Sequence, residues 1–251
     1  MTATLEDTQQ QTAPRFGALL GRFALAGLLA GAASGIWAMA VTERTISPAL
    51  ALEEARSASA HEHSEELFSR NTQLLGGFLG TVIAAVVFSV VVAAVYAGVR
   101  HRLPGRTDVG RVAVLAAIGF AVFALLPAVK IPANPPAVGD PDTIGARTAI
   151  YGTVLAAGVV TALVVSAVVS ALRGRGAHPS AVATAAVLTV AVLVVATVLL
   201  VPDSPDSISA DVPAAVVWDF RLASLGQLAV LWTTLGLTAG YLVDKLARRT
   251  R

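Results

Sequence analysis

Cysteine is absent from this 251-residue chain, and charged residues are scarce at 14%. Without thiols there is no disulfide framework, no thiolate metal site and no cysteine redox chemistry. A soluble domain carries about 25% charged residues, so there is too little polar surface to keep a chain of this size in water. The sequence also lacks GxxxxGK[ST], GxSxG and HExxH. Those absences remove P-loop nucleotide hydrolysis, the serine-hydrolase elbow and the zinc-peptidase motif. No enzyme class is indicated. No carboxylate lies deep in any long apolar run, and only Arg22 approaches membrane depth. Intramembrane charges mark proton relays and ion pathways, so a self-sufficient proton-coupled pump is disfavoured.

What the chain has instead is apolar length. Hydrophobic residues make up 55% of it, and the mean hydropathy is +0.73. They gather in runs of roughly 20, the length at which a helix crosses about 30 Å of hydrocarbon. Six spans are predicted, over 16–41, 72–99, 112–129, 148–172, 180–201 and 222–243. In lipid only helices and closed barrels satisfy the backbone, and runs of this length fit helices. The fold class is therefore an all-α polytopic integral membrane protein. A tail (1–15) precedes the six-helix membrane domain (16–243), and a basic tail (244–251) follows it.

Charge sets the orientation. With both termini cytoplasmic, the inner segments hold 12 of the 18 lysines and arginines, including Arg100, Arg102, Arg106, Arg111, Arg173 and Arg175. The outer loops then hold 12 of the 16 acids. Short basic inner loops satisfy the positive-inside rule. The pI near 9.4 thus reports topology in a plasma membrane with an anionic inner leaflet, and no nucleic-acid partner is implied. Trp37, Tyr151 and Trp218 at the outer boundary, with Tyr96 and Tyr241 at the inner one, are expected to form aromatic belts. Ala38-Met39-Ala40 resembles a signal-peptidase site, and cleavage there would leave five spans. Glu6 and Asp7 in the preceding segment, and the length of the run, speak against it.

Glycines recur every fourth residue on three spans: Gly27, Gly31 and Gly35 on the first, Gly76 and Gly80 on the second, Gly236 and Gly240 on the sixth. Such ridges let helix backbones approach closely in lipid. They are expected to seat helices within one bundle, with homo-oligomer formation as the other use. Spans four and five lack a ridge and read as lipid-facing. The chain also divides into three hairpins, each with an outer loop. Each returning helix opens with an arginine and then a glycine: Arg70 and Gly76, Arg147 and Gly152, Arg221 and Gly226. This is a weak internal repeat. Arginine at a helix N-terminus opposes the dipole. Arg147 is therefore expected to pair with Asp140 or Asp142, and Arg221 with Asp219, unless both snorkel to the interface.

Two outer segments carry candidate chemistry. The first contains Ala60-His61-Glu62-His63-Ser64-Glu65-Glu66, with Glu53 and Glu54 just before it. Imidazole and carboxylate together suit divalent first-row metals. On a helix, His61 and Glu65 share a face, as do Glu62 and Glu66; on an extended chain, His61 and His63 point the same way. Either geometry offers two ligands and neither a complete site, so the alternative is a solvated polar loop. The second segment, 130–147, packs four prolines into ten residues and reads as stiff and extended. It is either a cap over a pore mouth or a plain connector, with Asn134 and Asp140 as its cation-facing groups. Candidate polar or soft lining inside the spans is limited to Met39, Ser89, Ser224, Gln227, Thr233 and Thr234.

The stretch from Leu126-Pro127 through Lys130-Ile131-Pro132-Ala133-Asn134-Pro135-Pro136 to Gly145-Ala146-Arg147-Thr148 resembles the CbtA family of cobalt transporter subunits. So do the His/Glu segment and Trp218-Asp219-Phe220-Arg221 at the entry to the last span. The resemblance runs from about Arg15 to Val243, and the proline-rich loop is its most specific part. It implies a membrane component of cobalt uptake linked to cobalamin synthesis, working with a small single-span, histidine-rich partner of the CbtB type. His61, His63, Asn134, Arg147 and Arg221 are the positions carried over from the family.

The expected function is a divalent-metal permease subunit, cobalt first and nickel next, with no tightly bound cofactor. An acidic outer face would gather cations. His61, His63, Glu62, Glu65 and Glu66 would pass them to a mouth near Asn134 and Asp140. Passage would run between glycine-lined helices, driven by the membrane potential. The alternative is a non-transporting scaffold that binds a partner through its GxxxG faces.

Overall fold

Four of the helical elements begin where a polar side chain, Ser69, Thr107, Asp140 or His178, takes over an orphan backbone N–H. The computed structural model describes residues 16–60, 69–136 and 138–249, the side chains of 55–60 and 249 excepted. The first helix has three parts: α1 (Phe16–Trp37), a π-helical turn (Ala38–Thr42) and α2 (Glu43–Ala60). Ser69 caps α3 (Arg70–Val99) and Thr107 caps α4 (Asp108–Phe120), each accepting from a first-turn N–H. A second π turn (Ala121–Leu125) leads into α5 (Leu126–Lys130). Pro127 cannot donate to the carbonyl of Phe123, and its ring crowds that carbonyl; the widened turn accommodates it. A 3₁₀ turn (Pro141–Thr143), capped by Asp140, opens α6 (Ile144–Gly174). His178 caps α7 (Pro179–Leu200), and α8 (Ala214–Arg249) closes the chain.

Six of these helical stretches are long and apolar enough to cross a membrane: Phe16–Glu54, Arg70–Val99, Asp108–Lys130, Pro141–Gly174, Pro179–Leu200 and Ala214–Arg248. No strand occurs among the described residues. The protein is an all-helical, multi-pass membrane protein. Most helices overrun their predicted spans, and the first overruns furthest, because α2 continues α1 beyond any bilayer thickness. Ala38, Met39 and Ala40 therefore sit inside a continuous helix, in the π turn.

α1 is the central helix, with α3 on one side and α8 on the other, and α4 packs on α8. Gly27 lies against Ser89 and the Ala85 carbonyl, Gly31 against Val82 and Ala85, and Gly35 against the Phe78 ring. On α8, Gly236 meets Ala116 and Gly240 meets the Val109 backbone. A core of Leu19, Phe23, Tyr96, Val112, Trp232 and Val243 fills the space between these four helices. The Trp232 ring lies over Gly119 and stands perpendicular to Phe88 at 5.2 Å. Aromatic pairs of this kind contribute about 0.5–1.5 kcal/mol beyond their burial.

Several expectations fail here. The ridges of α1 and α8 are filled by their neighbours, so they leave no passage. Gly76 and Gly80 meet nothing within 4 Å; they face outward and seat no helix of this bundle. α3 packs on α1, and α6 meets α5 and the second π turn, but α8 joins α1 and α4 while α7 packs on α6. Tyr96 is wholly buried and donates to Asp108 Oδ1 at 2.7 Å. Trp37 donates Nε1–H to the Ala223 carbonyl at 3.0 Å. Neither belongs to a belt, whereas Tyr151, Trp218 and Tyr241 are exposed as a belt requires.

Candidate functional site at the capped end

At one end of the bundle α2, residues 131–136 and 138–143, the segment 201–213 and the start of α8 meet over the helices. Ala49, Val138, Val212 and Val217 form a small apolar core there. The proline-rich segment is not extended throughout as expected, since the Val138 N–H donates to the Pro135 carbonyl at 3.3 Å and Pro141 opens a 3₁₀ turn; Pro202, Pro205 and Pro213 punctuate the other segment. Between them lies Asp206, whose side chain is 1% exposed.

Burying a carboxylate is costly unless it is paired and hydrogen-bonded, and Asp206 is both. Its Oδ2 accepts from Asn134 Nδ2 at 2.7 Å and Arg147 NH1 at 2.8 Å. Its Oδ1 accepts from the Asp140 backbone N–H at 2.7 Å and, more distantly, from Thr143 Oγ1 at 3.5 Å. Gly139 passes so close that a Cβ would lie 2.8 Å from both Arg147 NH1 and Asp206 Oδ2. Asn134 accepts on Oδ1 from Arg221 NH2 at 2.8 Å, and Arg221 Nε donates to the Ala133 carbonyl at 3.2 Å. Lys130, nearly buried, donates to the Val198 carbonyl at 2.9 Å and to Asp203 at 2.5 Å. The result is a network of charge-assisted bonds joining α5, α6, α7 and α8. An open cavity of about 270 Å³ lies beside it, lined by Asn134, Arg147, Thr148, Tyr151, Ser204 and Asp206 among others.

Arg147 and Arg221 therefore do find partners, though not the predicted carboxylates. Arg147 pairs with Asp206 and reaches Asp140 only at its carbonyl, at 3.3 Å; the Asp140 carboxylate caps Asp142 N–H instead. Arg221 bonds the proline-rich loop, with no ion pair to Asp219. Position along α8 explains this, because residues two apart do not share a helix face. Asp206, Asp203 and Lys130 were not singled out from the sequence; Asp203 and Asp206 belong to a proline-punctuated loop like that of 130–147, the one signal that pointed to them.

His61, Glu62, His63, Glu65 and Glu66 lie outside the described residues, which flank them at Ala60 and Ser69. Arg70, which opens α3, is tied to Glu43 of α2 by an ion pair. Among the described residues no group of three or more His, Cys, Asp or Glu is placed to hold a metal. Inside the spans, Thr42 Oγ1 donates to Gln227 Oε1 at 3.2 Å, and Ser34 Oγ to the Gln227 carbonyl at 3.4 Å. Gln227 and Ser89 are thus engaged in packing, Ser89 through the Val86 carbonyl, while Met39 is exposed.

Six helices long enough to span, with a polar cap of interlocked loops and an open cavity beside it, define a multi-pass membrane protein. The chain belongs to the CbtA family, whose description is "Probable cobalt transporter subunit", and the match covers residues 16–244. No curated protein and no solved structure matches it. Membership makes it a subunit and cobalt its expected cargo.

Proposed function

We propose that this subunit carries Co²⁺ inward across the plasma membrane to supply cobalamin synthesis, with its capped end outside and both termini in the cytoplasm. The family match over residues 16–244 is the observation that carries this reading. The distribution of arginines supports the orientation: Arg100, Arg102, Arg106, Arg173 and Arg175 fall at the end opposite the cap. Capture belongs to His61 and His63 with Glu62, Glu65 and Glu66, whose nitrogen and oxygen donors suit cobalt and also nickel. Asn134 and Asp140 stand at the mouth, and their side-chain oxygens reach a cation once the cap loosens. A histidine-rich, single-span partner of the CbtB type would complete the ligand set. The driving force is the membrane potential, about 2.3 kcal/mol per charge per 100 mV and twice that for a dication.

Cobalt uptake at limiting metal tests the capture step. Cells carrying His61→Ala with His63→Ala are expected to need about tenfold more cobalt for half-maximal uptake. Unchanged uptake would remove these residues from the account. The outward Gly76–Gly80 face of α3 favours a second reading, a scaffold that holds a partner helix without conducting. Reconstitution separates the two, since a scaffold gives no flux with any metal.

A further inference from the structure

We propose that the six spans work as two bodies, and that Asp206 is the positioning residue that latches them at the cap. The inference deepens the transport reading, since what the latch would gate is the mouth assigned above. α1, α3, α4 and α8 form one body around a shared core. α6 and α7 form the other: they pack on each other and meet the first body through α5 and the π turn Ala121–Leu125. That seam is narrow. Gly158 sits against Val122 and Leu126, and Val154 and Val182 are among the few buried side chains on the pair.

The seam crosses the weakest point of the third span. The π turn and Pro127 together interrupt its regular hydrogen bonding, which is where helices bend. At the cap the bodies meet through a polar network beside the small core of Ala49, Val138, Val212 and Val217, with Lys130 on α5 also bonded to the Val198 carbonyl of α7. Asp206 follows α7, and it takes donors from Asn134, the Asp140 backbone and Arg147 at the start of α6. Arg221 on α8 ties the other body to the same loop through Asn134. Arg147 Nε is buried without a partner, so the guanidinium is held by its NH groups only, and the cavity beside it gives it room to swing. Packed apolar cores have discrete alternatives and do not deform smoothly. A charged fastening over a bent hinge is such a two-state element. Release of Asp206 lets α6 part from α5 and opens the cavity toward Val154, one turn below Tyr151.

The chain has no cysteine, so Val154→Cys supplies a single thiol as reporter of water access. With the latch intact this thiol is expected to react slowly with a water-soluble maleimide. Asp206→Asn and Arg147→Gln should each speed the reaction about ten- to hundredfold, the effect of losing a charge-assisted bond on a two-state population. An unchanged rate in both variants would overturn the latch. If Asp206→Asn does not fold, Arg147→Gln and a second measurement still decide. Ala133→Cys with Ser204→Cys, which line the same cavity from the two loops, joined by a short bismaleimide, fastens those loops covalently. That cross-link should suppress cobalt uptake at least tenfold relative to the unlinked double variant, and full uptake through the linked protein would overturn the proposal. Labelling needs no metal, so absence of cobalt uptake by the wild type would refute the transport reading and leave the latch to the maleimide result.

Discussion

Three glycine ridges that look alike in sequence should respond in opposite ways to one added methyl group. At Gly31 an alanine Cβ would stand 2.7 Å from the Val82 Cα and 2.9 Å from the Ala85 Cβ. Carbon atoms rest about 3.5–4.0 Å apart. Val82 Cα is backbone, with no rotamer to yield, so α1 and α3 must separate by roughly 1 Å, which forfeits up to about half of each contact along the seam. Overpacking of this kind costs about 1–3 kcal/mol, partly offset by the roughly 0.5–1 kcal/mol that alanine gains over glycine in a helix. Gly31→Ala should therefore lower stability by about 1–2 kcal/mol. At Gly76 and Gly80 nothing lies within 4 Å, so only the helix gain applies and stability should hold or rise by up to about 1 kcal/mol. Unfolding of the purified protein in mixed micelles, followed by circular dichroism, measures both. Equal destabilisation by Gly31→Ala and Gly80→Ala would refute the assignment of faces.

Two polar contacts give further tests. Tyr96→Phe leaves Asp108 without its 2.7 Å donor, and a double-mutant cycle with Asp108→Asn should return a coupling of about 1–3 kcal/mol. A coupling near zero would mean that α3 and α4 are not joined there. The intramembrane bond between Thr42 and Gln227 should be weaker: a cycle of Thr42→Val with Gln227→Leu is expected to give about 0.6 kcal/mol, the usual value in lipid. A coupling above about 2 kcal/mol would point to a larger role for this pair than packing.

The spans were legible in the sequence because lipid demands one pattern, a run of about 20 apolar residues, and tolerates few departures from it. Which faces meet was not legible. Protein-facing and lipid-facing sides are both apolar, so nothing near Gly76 distinguishes it from Gly31. The π turns escaped notice too, although Pro127 marked the place of one. At the cap, proximity in sequence misled. Asp140 and Asp219 are near their arginines along the chain, yet Arg147 pairs with Asp206, 59 residues away, and Asn134 reaches the same carboxylate across 72. The matching proline loops held the right clue, since each supplies a polar residue to an arginine of the other's return helix, Asp206 to Arg147 and Asn134 to Arg221, although Arg221 lies two turns inside α8 and not at its start.

Uptake of radioactive cobalt tests the central claim most directly. Cells with this chain and its partner should accumulate Co²⁺ at limiting concentration, and deletion of the chain should abolish that accumulation. Dissipating the membrane potential, worth about 4.6 kcal/mol for a dication at about 100 mV, should collapse it in the same way. Cobalt accumulation that is equal with and without the chain would contradict the account.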